Sequence, residues 1–102
     1  MKKIKYIDVC SGIGITRLSL ERNHWECVGR FETDLVAEEI YKSLYNPKER
    51  NFGDVTRLPL SLPEFDVLVA SIPGSTFSRI NRNTSRPDSS IPFALVELLY
   101  RY

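Results

Sequence analysis

The chain has no apolar run approaching the ~20 residues needed to cross a bilayer. Its start, Met1-Lys2-Lys3-Ile4-Lys5, leads into an alternating segment and not into the continuous apolar stretch of a signal peptide. It therefore reads as a cytoplasmic protein with no membrane partner. It also lacks a charge excess, since 14 basic residues face 13 acidic ones for a formal charge of +1. No global field draws it to nucleic acid, and any such binding has to come from a local cluster. Cysteine is scarce: Cys10 and Cys27 are too few and too widely spaced for a metal cluster, so no metal is expected and both read as small, reduced core residues. What is present, 102 residues with 42% hydrophobic and 26% charged, has the composition of one globular domain. Multi-domain, collagenous and disordered readings fall away.

Strands and helices alternate along the sequence. Ile4, Tyr6, Ile7 and Val9 form a β-rich run that ends at Cys10-Ser11-Gly12-Ile13-Gly14, after which Thr16 to Glu21 has helical composition. A second apolar run with Trp25, Cys27 and Val28 stops at Arg30-Phe31-Glu32-Thr33-Asp34. Asp34 is a good N-cap for a helix over Leu35 to Leu44, which puts Val36, Ile40 and Leu44 on one face. The turn signals Asn46-Pro47 and Gly53-Asp54 bracket a short strand expected near Asn51 to Val55. Phe65 to Ser71 is the most apolar run and reads as a strand buried on both faces of a parallel sheet. A polar stretch from Thr76 to Ser90, too long for a plain connector, precedes a last helix over Ile91 to Tyr102 with Pro92 near its first position. The fold class is therefore α/β: a Rossmann-like open parallel sheet with flanking helices. Its ligand site belongs at the carboxyl ends of the strands.

The unusual residues collect at those ends. Gly12 and Gly14 let the backbone turn sharply and let a ligand approach main-chain amides. Glu32 lies 24 residues beyond Asp8, close to the ~20-residue interval at which an acid after the second strand meets ribose hydroxyls. The third glycine of G-x-G-x-x-G is missing, since Thr16-Arg17 follow Ile15. This favours an adenosine cofactor without a pyrophosphate over NAD. Each feature also has a plainer reading: Gly12 and Gly14 as an ordinary β-to-α turn, Glu32 as a solvated acid before a helix, Asp54 as a turn residue after Gly53.

Taken in order, Ile7-Asp8-Val9-Cys10-Ser11-Gly12-Ile13-Gly14, Glu32-Thr33-Asp34 with Ala37 and Tyr41, Gly53-Asp54-Val55-Thr56, and Asp66 through Ser78 resemble the first four motifs of the DNA cytosine-5 methyltransferases. The resemblance covers nearly the whole chain. It implies a partial S-adenosylmethionine (SAM) methyltransferase fold that binds SAM or its product S-adenosylhomocysteine. The glycine turn would hold the methionine part, the acid matching Glu32 the ribose hydroxyls, and the acid matching Asp54 the adenine amino group. The cofactor residues it implies are Asp8, Gly12, Gly14, Glu32, Thr33, Asp54 and Pro73. It also implies DNA as partner, and a bacterial, archaeal or phage source if the protein is a restriction-modification relative.

The departures bear on chemistry. The family's fourth motif is Pro-Cys-Gln, with a cysteine that attacks C6 of a flipped cytosine, whereas this chain has Pro73-Gly74-Ser75. Gly74 occupies the catalytic position and offers no nucleophile. Ser75, Thr76 and Ser78 are hydroxyls nearby, but an alcohol needs an adjacent base, and the only histidine, His24, lies near the opposite end of the second strand. The expectation is a chain inactive on its own. Ser78, Arg79, Arg82 and Arg86 are the candidate nucleic-acid contacts, equally readable as a solvated loop. Arg79-Ile80-Asn81-Arg82 is as similar to the transfer-RNA branch of the family as to the DNA branch. The rival reading is a non-catalytic module that partners or regulates a methyltransferase; an NAD-dependent oxidoreductase is disfavoured by the missing glycine. A homodimer, or a complex with a second methyltransferase-like chain, is expected through the sheet edge and the last helix, whose apolar face is Ile91, Leu95, Leu98 and Leu99. Leu98→Asp should disrupt that association.

Overall fold

The computed structural model describes residues 3–71 together with Leu98 and Leu99. Three parallel strands, β1 (Lys5–Val9), β2 (Glu26–Phe31) and β3 (Val67–Ala70), form a sheet in the order β2-β1-β3. Helix α1 (Ile15–Arg22) joins β1 to β2, and α2 (Leu35–Tyr45) follows β2. The chain thus leaves β1 to one side and returns to its other side at β3. The crevice where a ligand settles in such sheets is the point where the strand order reverses, beside the end of β1.

Side chains alternate along β1, and the two faces of the sheet are built from different chemistry. Ile7 and Val9 are fully buried with Phe31, Val55 and Leu98 in an apolar core, against which Phe52, Leu58, Leu62, Phe65 and Leu68 pack. This face is covered by the irregular segment between α2 and β3. The other face carries Tyr6 and Asp8 on β1 and Arg30 on β2, opposite Asp8 in register. There Arg30 forms a bidentate pair with Glu38 of α2 at 2.6 and 2.9 Å and reaches Glu49 at 3.0 Å. Glu49 takes a second arginine, Arg17 of α1, at 2.6 Å, and Arg17 also donates to the Tyr41 hydroxyl at 2.9 Å. The Arg30 guanidinium lies 3.9 Å from the centre of the Tyr41 ring, a cation–π contact in a desolvated setting.

Asp34 caps α2 as expected, its carboxylate accepting the Val36 and Ala37 amides at 2.9 and 3.2 Å. The rotation of α2 is a different matter. Val36, Ile40 and Leu44 are 70%, 42% and 62% exposed, and the residues that α2 buries are Glu38 and Tyr41. Ion pairing with Arg30 and ring packing under both arginines, not aliphatic burial, set that orientation.

Four further expectations need correction. The strand near Asn51 to Val55 is a single parallel bridge between Arg30 and Asn51. Pairing stops because Gly53 turns at φ 81° and Asp54 folds its carboxylate back onto the Thr56 amide at 2.9 Å. The strand in Phe65 to Ser71 is only four residues long and half-buried, since among the described residues it pairs with β1 alone. The cysteines are half-buried rather than enclosed: Cys10 packs at the margin of the apolar core, and the Cys27 thiol bonds the Gly29 carbonyl at 3.4 Å. Leu98 is fully buried in the chain's own core and so cannot serve a partner surface, whereas Leu99 is 58% exposed. The remainder of the last helix and the stretch from Thr76 to Ser90 lie outside the described residues.

Removing one member of a buried ion pair leaves the other charge uncompensated, at a cost of about 3–5 kcal/mol. Glu49→Ala takes one carboxylate from each of Arg17 and Arg30 but leaves Arg17 on Glu21 and Arg30 on Glu38, so it is expected to lower the urea-unfolding free energy by less than that, about 1.5–3 kcal/mol. Glu21→Ala removes a carboxylate that is 45% exposed and should cost under about 1 kcal/mol.

Candidate cofactor site

The end of β2 is fixed by one side chain that the sequence reading passed over. Asn51 accepts the Glu32 amide at 3.0 Å, donates to the Glu32 carbonyl at 3.0 Å and accepts the Gly53 amide at 2.9 Å. It thereby mimics a strand partner and joins the end of β2 to the Gly53-Asp54 turn. The Glu32 carboxylate then reaches across the strand ends. One oxygen accepts the Gly12 amide at 2.7 Å and the other the Asp34 amide at 2.8 Å. Each oxygen keeps a second lone pair for a ligand hydroxyl.

Glu32, Thr33 and Asp54 line one cleft with Cys10, Phe31, Gly53 and Val55. Asp54 uses Oδ1 for the Thr56 amide and hydroxyl, at 2.9 and 2.7 Å. These bonds hold its carboxyl below the usual carboxylate range. Its Oδ2 makes no hydrogen bond to a described residue. Phe31 stacks at a tilt on Phe52, their centres 5.6 Å apart, and this gives the cleft an apolar floor. Burial and the neighbouring Glu32 and Asp8 carboxylates push the Cys10 thiol up, so it stays protonated and inert.

The cleft holds about 60 Å³, well below the roughly 300 Å³ of a complete small-molecule pocket. It accommodates one edge of a ligand, whose remainder would lie along the glycine loop. That loop is open where this requires it: Gly12 stands at φ 58° with nothing within 4 Å of a Cβ placed there. The residues present therefore fit an adenosine ligand: one carboxylate for vicinal hydroxyls, a second for an amino group, an apolar floor and an unobstructed backbone. A larger cleft of about 450 Å³ lies around His24, Trp25 and Glu26, at the amino end of β2, and contains none of the predicted site residues.

The other predicted residues fall elsewhere. Gly14 is buried at the start of α1, beyond the cleft wall. Asp8 does not line the cleft; it is fully buried in register with Arg30, and neither carboxyl oxygen has a hydrogen-bond partner among the described residues. Pro73, Gly74, Ser78, Arg79, Arg82 and Arg86 lie outside the described residues.

Desolvation pushes the Asp8 carboxyl up to about 6, against the opposing pull of Arg30 and Arg17. The folded state then holds the proton more tightly than the unfolded chain, where an aspartate titrates near 3.9. Stability is consequently lost as pH rises from about 4 to about 6, and stays lost above. Asp8→Asn is expected to remove this slope, so that unfolding free energies of the two proteins, measured at pH 4, 5, 6 and 7, diverge in favour of the variant as pH rises.

The sequence profile of the C-5 cytosine-specific DNA methylases matches residues 4–100. Among curated proteins, the chain is 36% identical over 90 residues to the Type II methyltransferase M.HgiCII of Herpetosiphon aurantiacus, covering 86% of this chain and 20% of that protein. It is 33% identical over 87 residues to the Type II methyltransferase M.HhaI of Haemophilus parahaemolyticus, covering 84% and 26%. To the orphan methyltransferase M.Rho11sI of Bacillus phage rho11s it is 40% identical over 83 residues, covering 76% and 16%. The chain thus spans about a quarter or less of these relatives. Its fold is similar to that of Streptomyces venezuelae DesVI, with a TM-score of 0.57 at 15% identity over 76% of this chain and 32% of that one. With the profile matched over nearly all its length, the chain belongs to the C-5 cytosine-specific DNA methylase family.

Proposed function

We propose that this chain is the SAM-binding part of a DNA cytosine-5 methyltransferase architecture, and that it does not methylate cytosine by itself. The observation that carries the first half is the meeting of Glu32, Thr33 and Asp54 in one cleft, with the Glu32 carboxylate tied to the Gly12 amide. SAM, when bound, supplies an electrophilic methyl group. The work of this chain is to hold the nucleoside: Glu32 accepts the ribose hydroxyls, Asp54 accepts the adenine amino group, and the Phe31-Val55 floor excludes water from the ring. Asp8, Gly14 and Pro73 complete the proposed set.

The second half rests on Gly74. Covalent activation of cytosine needs a nucleophile at that position, and glycine has no side chain. DNA, or alternatively RNA, is the proposed partner through Ser78, Arg79, Arg82 and Arg86, in the cytoplasm of a bacterial or phage-bearing cell. Association with a second methyltransferase-like chain would bring in a nucleophile, whereas a second copy, carrying the same Gly74, would give a homodimer still without one. The exposure of Leu35, Val36 and Leu44, at 81%, 70% and 62%, favours such association.

Calorimetry with S-adenosylhomocysteine tests the cofactor reading. Binding is expected, and Glu32→Ala should weaken it by about 1.5–3 kcal/mol through loss of a charge-assisted hydrogen bond. Absence of heat at millimolar ligand, with NAD giving none either, would leave the non-catalytic module as the better reading. In a tritiated-methyl transfer assay on duplex DNA, the chain and its Gly74→Cys variant are both expected to give no product; methylation by the unmodified chain would contradict the assignment of Gly74.

A further inference from the structure

The glycine loop is held from a direction that its own sequence does not announce. Tyr45, the last residue of α2, donates its hydroxyl to the Gly14 carbonyl at 2.5 Å. The same carbonyl accepts the Leu18 amide at 3.1 Å, so it anchors the first turn of α1 and the end of α2 together. Gly14 stands at φ 94°, and a Cβ there would collide with the Tyr45 ring and come to 3.0 Å from that of Tyr41. The backbone at Gly14 is thus pressed against Tyr45 with no room for a side chain between them. Tyr45 is itself held, because the Arg17 guanidinium lies 5.2 Å from its ring centre and the Tyr41 ring 5.0 Å away. Arg17 is fixed in turn by Tyr41, Glu21 and Glu49.

At its other end the loop is tied by the Cys10 amide to the Phe31 carbonyl at 2.7 Å and by the Gly12 amide to Glu32. Between these ties lie two glycines with positive φ, and glycine restricts its own backbone less than any other residue. Without the hydroxyl, the position of Gly14 would rest on the helix bond and the Ser11 carbonyl alone. We propose that Tyr45 is a positioning residue for the glycine loop: its hydroxyl fixes the loop amides in the binding geometry and so sets the affinity for the amino-acid end of the cofactor. The affinity part rests on the cofactor reading above, whereas the effect on the loop rests on the geometry alone.

The test is Tyr45→Phe in the 102-residue chain, which keeps the ring and its contact with Arg17 and removes the hydroxyl. Glu39→Ala, at an exposed position of the same helix, serves as control. Loss of one hydrogen bond corresponds to about a tenfold change. In Tyr45→Phe, amide hydrogen exchange at Gly12 and Gly14 should quicken by that factor while the β1 and β2 amides stay unchanged. The dissociation constant for S-adenosylhomocysteine, measured by calorimetry well below the melting temperature, should rise about five- to tenfold. The control should change neither. Exchange that quickens equally throughout the chain, a loop that does not respond, or a quicker loop with unaltered affinity would each overturn the proposal. If the unmodified chain binds no S-adenosylhomocysteine, the cofactor reading falls, and the loop exchange alone decides whether Tyr45 holds the loop.

Discussion

Glu49 is a single carboxylate, 4% exposed, that holds two arginines from different elements, Arg17 of α1 and Arg30 of β2. Around it Arg30 takes the Glu38 carboxylate and both guanidiniums pack on Tyr41. Charges buried to this degree carry a large desolvation cost that only near-complete hydrogen bonding offsets. The network therefore tolerates one arrangement of α1, β2 and α2 and penalises the rest. An aliphatic interface of the same area would permit sliding and rotation. This one fixes the rotation of α2, whose aliphatic residues point to solvent as a result.

The cleft inherits that arrangement. Glu32 follows β2 directly, two residues beyond Arg30, and Asn51 lies two residues beyond Glu49, so both walls of the cleft are continuations of chain segments that the ion network pins. Between them Asn51 closes the gap with three hydrogen bonds to the backbone of Glu32 and Gly53. On the far side, Tyr45 leads from the same arginine cluster to Gly14. The loops of the proposed site are irregular, as binding loops commonly are. Their positions are nonetheless set by a rigid polar layer beneath them.

Asp8 marks the limit of that layer. It lies opposite Arg30 on β1, yet Arg30 spends its hydrogen bonds on Glu38 and Glu49 and makes none to Asp8. A carboxylate buried without a partner costs stability when ionised. The rest of the polar layer pairs its charges, and Asp8 alone of its charged groups is left without a hydrogen bond among the described residues.

The sequence by itself determined the strand-turn-helix order, the Asp34 cap and the family. Each of these rests on near neighbours in the chain: alternation along a strand, a carboxylate two or three residues before the amides it accepts, motifs of contiguous residues. It also put Glu32 and Asp54 at one end of the sheet, because acids and turns after strands fall there whatever the packing, while Thr33 came from the resemblance alone. What only the tertiary structure decided are the contacts between elements far apart in sequence. Nothing local in the sequence marks Arg17, Arg30, Glu38 and Glu49 as charges that two helices and a strand bring together in the interior. Asn51 read as part of a strand, and its side chain took over the pairing that the turn at Gly53 ends. Val36, Ile40 and Leu44 read as one helix face, and the ion pairing of Glu38 and the packing of Tyr41 turned that face outward, because a buried guanidinium has to keep its carboxylate whereas aliphatic side chains are commonly left at a protein surface.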